Sequence, residues 1–227
     1  MSPRDFARLQ AAAAARTWVA LVHHPVYDRN RRVVTTAITN LDIHDIARSS
    51  RTFGAAGYLI VTPVAAQREL ATRILGHWHE PTTDGDVDDG GPRNEYRREA
   101  LAPVAVADSI EAAEALVAER AGGAPTLLVA TTARQPARSI DYPALARLVG
   151  EGTRPMLLLF GTGWGLADRV LDRVDHTLTP IRGHTDYNHL SVRSAAAIVL
   201  DRLFGARDTV EMTGIRGAQE TEGAEAP

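Results

Sequence analysis

The sequence predicts an α/β fold: a single domain wound on both sides of a parallel sheet. Three observations carry this. Strand-like and helix-like stretches alternate almost throughout. The strand-like runs are continuously apolar, as suits strands covered on both faces. Polar loops rich in small residues follow the late strands, at the ends where open parallel sheets bind ligands. With 227 residues, 44% of them hydrophobic, one domain has ample material for a core.

The predicted strands lie at 18–22, 58–61, 104–106, 126–130, 156–160 and 176–178. Helical patterns fall between them at 42–51, 65–79, 110–120, 142–149, 166–174 and 191–204. Asp108-Ser109 offers a cap for the third of these helices, and Gly122-Gly123 a stop. Residues 17–205 form the expected domain. Three segments read as peripheral: an Ala-rich flexible arm at 1–16, a mobile acidic Gly-rich insertion at 81–94, and a low-complexity, disordered tail at 206–227.

Composition excludes several chemistries. The sequence has no Cys, which removes thiolate catalysis, disulfides and Cys-ligated zinc. It has no Lys either, so all 25 basic residues are Arg and a P-loop Gly-Lys-Ser/Thr is absent. No G-x-S-x-G elbow occurs. His77 and His79 stand two apart on a helix and face different sides, and His44-Asp45 lacks further ligands, so no metal is expected. No apolar run reaches about 18 residues, and the start carries no apolar leader core. The expected location is the cytoplasm.

The chemical signal is concentrated late. Gly161-Thr-Gly-Trp-Gly165 follows a strand and precedes a helix-like segment. Alone it is a weak sign, since many such loops are tight turns. Two further strand ends reinforce it: "ATTAR" at 130–134, and the His- and Asn-rich "TPIRGHTDYNHLS" at 179–191, which opens a small-residue helix. Three polar loops at adjacent strand ends point to one shared pocket. Earlier, Tyr27 with Arg29, Arg31 and Arg32 forms a small basic loop, either a grip on phosphates and a base or a solvated turn.

These motifs, in order, resemble the SPOUT class of S-adenosylmethionine-dependent RNA methyltransferases. "NLDIHDIARSSRTFG" (40–54) is similar to the SpoU-type first motif, with Arg48 at its catalytic arginine. The stretch 160–166 corresponds to the second motif and 188–195 to the third. The nearest subgroup is a bacterial set of predicted RNA methyltransferases similar to the cofactor domain of tRNA guanine-N1 methyltransferases, whose members carry "FGTGWGL" nearly as here. The sequence departs from the SpoU pattern at Thr162, where Glu is usual, and at Asn188, displaced by one residue.

The resemblance implies a C-terminal deep trefoil knot, a homodimer closed by the small apolar face of the last helix, and an RNA substrate, tRNA or rRNA. S-adenosylmethionine would be held by Thr131, Thr132 and Ala133, by Phe160, Gly161, Thr162, Gly163, Trp164, Gly165 and Leu166, and by Pro180, Ile181, Arg182, Gly183, His189, Leu190 and Ser191. Catalytic roles fall to Arg48, Asp186, Asn188 and Ser191, and RNA contacts to Tyr27, Arg29, Arg31, Arg32, Asn40 and His44. Ribose 2′-O methylation would use Arg48; guanine-N1 methylation would use Asp186 as acid or base. A small-molecule acceptor is the remaining alternative.

Overall fold

The computed structural model describes residues 2–79 and 92–206. Its elements run α1 (Pro3–Ala14), β1 (Thr17–Val22), β2 (Val26–Tyr27), β3 (Val33–Val34), α2 (Asn40–Thr52), β4 (Gly57–Val61), α3 (Ala65–His79) and α4 (Pro92–Leu101). Then follow β5 (Val104–Ala107), α5 (Ile110–Arg120), β6 (Leu127–Ala130), α6 (Tyr142–Glu151), β7 (Met156–Gly161), α7 (Asp168–Leu171), β8 (His176–Thr177) and α8 (Val192–Phe204). Six strands form one sheet in the order β5-β4-β1-β7-β6-β8, every pairing parallel. The sheet is the one the apolar runs predict.

Strand alternation divides the core in two. Val19, Leu21, Tyr58, Ile60, Leu158 and Phe160 face α1, α2, α3, α6 and α8. Trp18, Ala20, Val22, Leu59, Val61, Leu157 and Leu159 face α5 and α7. Both faces of β1, β4 and β7 are buried, which is why these strands read as unbroken apolar runs.

Several expectations are corrected. The N-terminal segment is no loose arm: Ser2 and Asp5 close a capping box on α1, and Ala13, Ala14 and Gln10 are buried. Gln10 Nε2 donates to the Leu203 carbonyl at 2.7 Å, fixing α1 to the end of α8. The helix expected over 166–174 is only the single turn α7. α4 and the β2–β3 hairpin were not predicted. Of α8's small face, Ala196 is fully buried within this chain with Val199, Leu200 and Leu203, leaving Ala195, Ala197 and Ile198 partly exposed. Residues 81–91 of the acidic insertion and 207–227 of the tail lie outside the described residues. Among the described residues no helix is long and apolar enough to cross a membrane.

Candidate functional site

The C-terminal ends of β1, β6 and β7 open on a cavity of about 840 Å³. The late glycine loop forms one wall, and its backbone is fastened to the segment after β1. Thr162 N–H donates to the Val22 carbonyl, Trp164 N–H to the Tyr27 carbonyl, and Tyr27 N–H to the Gly165 carbonyl, all at 2.9–3.1 Å. Two glycines are required by this packing. Gly163 has φ +58°, and a Cβ there would sit 2.8 Å from the Tyr27 carbonyl oxygen; a Cβ on Gly161 would sit 2.6 Å from Leu166 N. These close approaches are to the chain itself, so the two glycines first serve the shape of the loop.

The other walls are the predicted late loops. Thr131, Thr132 and Ala133 follow β6; Pro180, Ile181, Asn188, His189, Leu190 and Ser191 come from the segment between β8 and α8. This segment is stitched to the loop after β6. Ile140 pairs with Leu178, Arg182 donates to Gln135 Oε1 at 2.6 Å, and Asn188 Nδ2 donates to the Ala133 carbonyl at 3.1 Å. Ser191 caps α8, its Oγ accepting from Ser194 N–H. Phe160, Gly161, Thr162, Gly163, Trp164 and Gly165 line the cavity as expected.

Other expected residues do not line it. Leu166 is buried in the core. Arg182, Gly183 and Asp186 are exposed away from the lining, and Asn40, His44 and Arg48 border a separate hollow. Of the basic loop, Tyr27, Arg29 and Arg31 reach the rim, while Arg32 does not line it. Arg31 and Arg134 both lie over the Tyr27 ring, 4.8 and 5.9 Å from its centre, and both pair with Asp168 at 2.8 and 3.1 Å. The Tyr27 ring is thus engaged within the chain.

Sequence reasoning missed Thr36 and Asp42, both in the lining. Their signal was the "VTTAITNLD" run before α2, whose threonines carry no motif of their own. Thr36 belongs to a hydrogen-bond chain. Thr162 Oγ1 donates to the Val22 carbonyl at 3.1 Å, so it must accept from Thr36 Oγ1 at 2.5 Å. Thr36 must in turn accept from His23 Nδ1 at 3.0 Å. This fixes the His23 proton on Nδ1 and leaves Nε2 buried without a hydrogen-bond partner. Burial lowers the His23 pKa to about 4, against an opposing pull from the Asp42 carboxylate. His23 is therefore neutral, a fixed support behind the glycine loop.

The two carboxylates in the lining are both engaged. Asp28 Oδ1 accepts from the N–H groups of Asn30 and Arg32, each at 2.8 Å. Asp42 Oδ2 accepts from Thr39 Oγ1 at 2.6 Å, and its other oxygen faces Arg193 at 3.6 Å. No group of three or more His, Cys, Asp or Glu is placed to hold a metal among the described residues.

A parallel sheet whose strand ends gather a glycine loop and two polar loops around one cavity is the frame of a nucleotide-cofactor enzyme. The chain belongs to a family described as SAM-dependent RNA methyltransferases, whose family model matches residues 16–205. It is 45% identical over 188 residues to a tRNA (guanine-N(1)-)-methyltransferase of Oleidesulfovibrio alaskensis, covering 83% of this chain and 42% of that one. The chain thus spans about two fifths of that relative's length. It is 37% identical to an uncharacterised protein of Aquifex aeolicus, over 82% of this chain and 87% of that protein. Among solved structures, the SpoU methyltransferase AviRb from Streptomyces viridochromogenes shares the fold, with a TM-score of 0.50 and 18% identity over 84% of this chain and 59% of that one. S-adenosylmethionine is the cofactor that the family's description names.

The cavity fits that cofactor. Its volume falls in the range of cofactor sites. Its floor is apolar, from Phe160, Leu178, Ala195 and Val199, and its rim is polar, from Thr131, Thr132, Asn188 and Ser191. Gly165 is open on its Cβ side, exposing backbone for close approach.

Proposed function

We propose that the enzyme methylates a ribose 2′-hydroxyl of tRNA or rRNA, as a homodimer in the cytoplasm, through a C-terminal trefoil knot. The observation that carries the acceptor is the state of the lining carboxylates. Asp28 and Asp42 both serve hydrogen bonds within the chain, which favours an acceptor whose methylation does not call on a carboxylate. When bound, S-adenosylmethionine supplies an electrophilic methyl group. The chain then has to hold the acceptor in line and stabilise charge as the hydroxyl proton leaves.

Arg48 is the proposed stabiliser. Its guanidinium stays charged at any working pH and acts on a developing alkoxide as a hydrogen-bond donor. It lies outside the cavity of its own chain, so its action requires a second copy to bring it to the cofactor. The partly exposed Ala197 and Ile198 of α8 support such an assembly. The knot is supported by the ties of the 179–191 segment to the loop after β6, at Ser139, Ile140, Gln135 and Ala133.

Guanine-N1 methylation is the second reading, favoured by the name of the Oleidesulfovibrio relative; Asp186 would then handle the proton. The separating experiment is nucleoside analysis by mass spectrometry of RNA from a strain lacking the gene, after incubation with the enzyme and labelled cofactor. Label on the ribose upholds the proposal; label on guanine N1 replaces it.

A further inference from the structure

A second hollow, of about 680 Å³, opens between α2, α3 and α4. On α2 its wall is one stripe, because Asn40, His44 and Arg48 recur every four residues. α3 contributes Arg73 and Trp78, and α4 contributes Arg97. The Arg97 guanidinium lies over the Trp78 ring, 5.1 Å from its centre, and His44 meets the same ring edge-on at 5.6 Å.

The charge here is unbalanced. Arg48, Arg73 and Arg97 all line the hollow, and none of them makes an ion pair among the described residues. Among the described residues, the one carboxylate lining the hollow, Asp45, faces Arg193 at 3.6 Å. Burial, then the positive charge of Arg97, holds the His44 pKa below its ordinary value, with Arg48 adding to this against the pull of Asp45. Its Nδ1 is buried with no hydrogen-bond partner. Three guanidiniums converging on one hollow in a protein of net charge −3 make a local field that attracts an anion.

We infer that this hollow grips the sugar–phosphate backbone of the substrate RNA, with Arg73 and Arg97 as its phosphate contacts. The inference rests on RNA as the substrate class. α2 links the two sites: Asp42 lines the cofactor cavity, while its neighbours Leu41 and Asp45 line the hollow. Because Asp45 lies one turn from Asp42, the hollow and the cofactor cavity border the same stretch of α2. Leu41 and Leu70 are exposed beside the arginines, so a second copy of the chain is the competing occupant. A two-fold contact centred here would set like charges against one another, which favours the polyanion.

The test is equilibrium binding of unfractionated tRNA, and separately of rRNA, to the full chain at several salt concentrations. It compares wild type, the double variant Arg73→Ala/Arg97→Ala, and Arg73→Lys/Arg97→Lys. The Ala variant should bind about tenfold more weakly at low salt, with the log–log salt slope shallower by about 1.5, since each phosphate contact contributes roughly 0.7–0.9. The Lys variant keeps the charges and should keep the slope, and S-adenosylhomocysteine affinity should be equal in all three. If wild type binds tRNA and the Ala variant matches it in affinity and slope, the inference falls and the enzyme reading stands. If wild type binds S-adenosylhomocysteine but neither tRNA nor rRNA, the RNA reading falls and takes this inference with it. Unchanged tRNA binding with a lower mass by light scattering would assign the hollow to a second copy and overturn the inference.

Discussion

The Asn188 amide donates to the Ala133 carbonyl at 3.1 Å, joining two cavity loops that lie 55 residues apart in the chain. Neither loop has regular structure at that point, so this bond holds the walls at a fixed separation. A hydrogen bond of this kind contributes about 1 kcal/mol. Asn188→Ala should therefore weaken S-adenosylhomocysteine binding about fivefold by calorimetry, while the unfolding midpoint in urea moves little. An unchanged affinity would mean that the loops hold their positions without this bond.

Gly163 separates loop shape from cofactor contact. Its φ is +58°, and a Cβ would press on the Tyr27 carbonyl at 2.8 Å; Gly122 also has positive φ, +74°, but open space around it. Alanine at either position meets the same backbone penalty, about 1 kcal/mol. Only Gly163→Ala adds a clash with backbone that is itself hydrogen-bonded to Trp164. Gly163→Ala should thus lose about 2 kcal/mol or more in urea unfolding, clearly more than Gly122→Ala. Equal losses would place the need for Gly163 elsewhere.

His23 makes stability depend on pH. In the unfolded chain it takes up a proton below about pH 6.5; in the folded chain burial delays this to about pH 4. Between those values the unfolded state binds more protons, so stability falls as the pH drops from about 6.5 to 4 and is unaffected above. The gap corresponds to roughly 3 kcal/mol. His23→Gln should flatten the decline in unfolding free energy between pH 7 and pH 4.5, even if the variant is less stable at pH 7. A decline as steep as wild type's would show that His23 is not the buried neutral group responsible.

What was legible in the sequence follows the physics of burial. β1, β4 and β7 are covered on both faces and announce themselves as apolar runs. α4 did not, because among its described side chains "PRNEYRREAL" buries only Ala100 and Leu101, and the stretch shows no apolar stripe. α1 was obscured because its buried face is Gln10, Ala13 and Ala14 within a run of alanines that has no contrast. Loops of the site were legible from their glycines and polar residues at strand ends. Thr36, Asp42 and the His23 support were not, since they come together only when the segment before α2 folds back against the glycine loop.

The last prediction decides the acceptor through Arg48 and Asp186. Arg48 lies on the exposed side of α2, one turn after His44 and outside the cavity. Asp186 is exposed on the segment before α8 and does not line the cavity either. Neither lines the cavity of its own chain, so each would act on the reacting atoms across a partner copy. If the acceptor is a 2′-hydroxyl, Arg48→Ala should cut methyl transfer about a hundredfold or more, as loss of a transition-state hydrogen-bond donor does. Cofactor affinity should stay within about threefold, because Arg48 does not touch that cavity. Arg48→Lys should restore little, since one ammonium cannot reproduce two parallel guanidinium bonds. Asp186→Ala should then retain most activity. Single-turnover rates with labelled cofactor measure all three variants, and the reverse pattern, an active Arg48→Ala beside an inactive Asp186→Ala, would move the reaction from ribose to base.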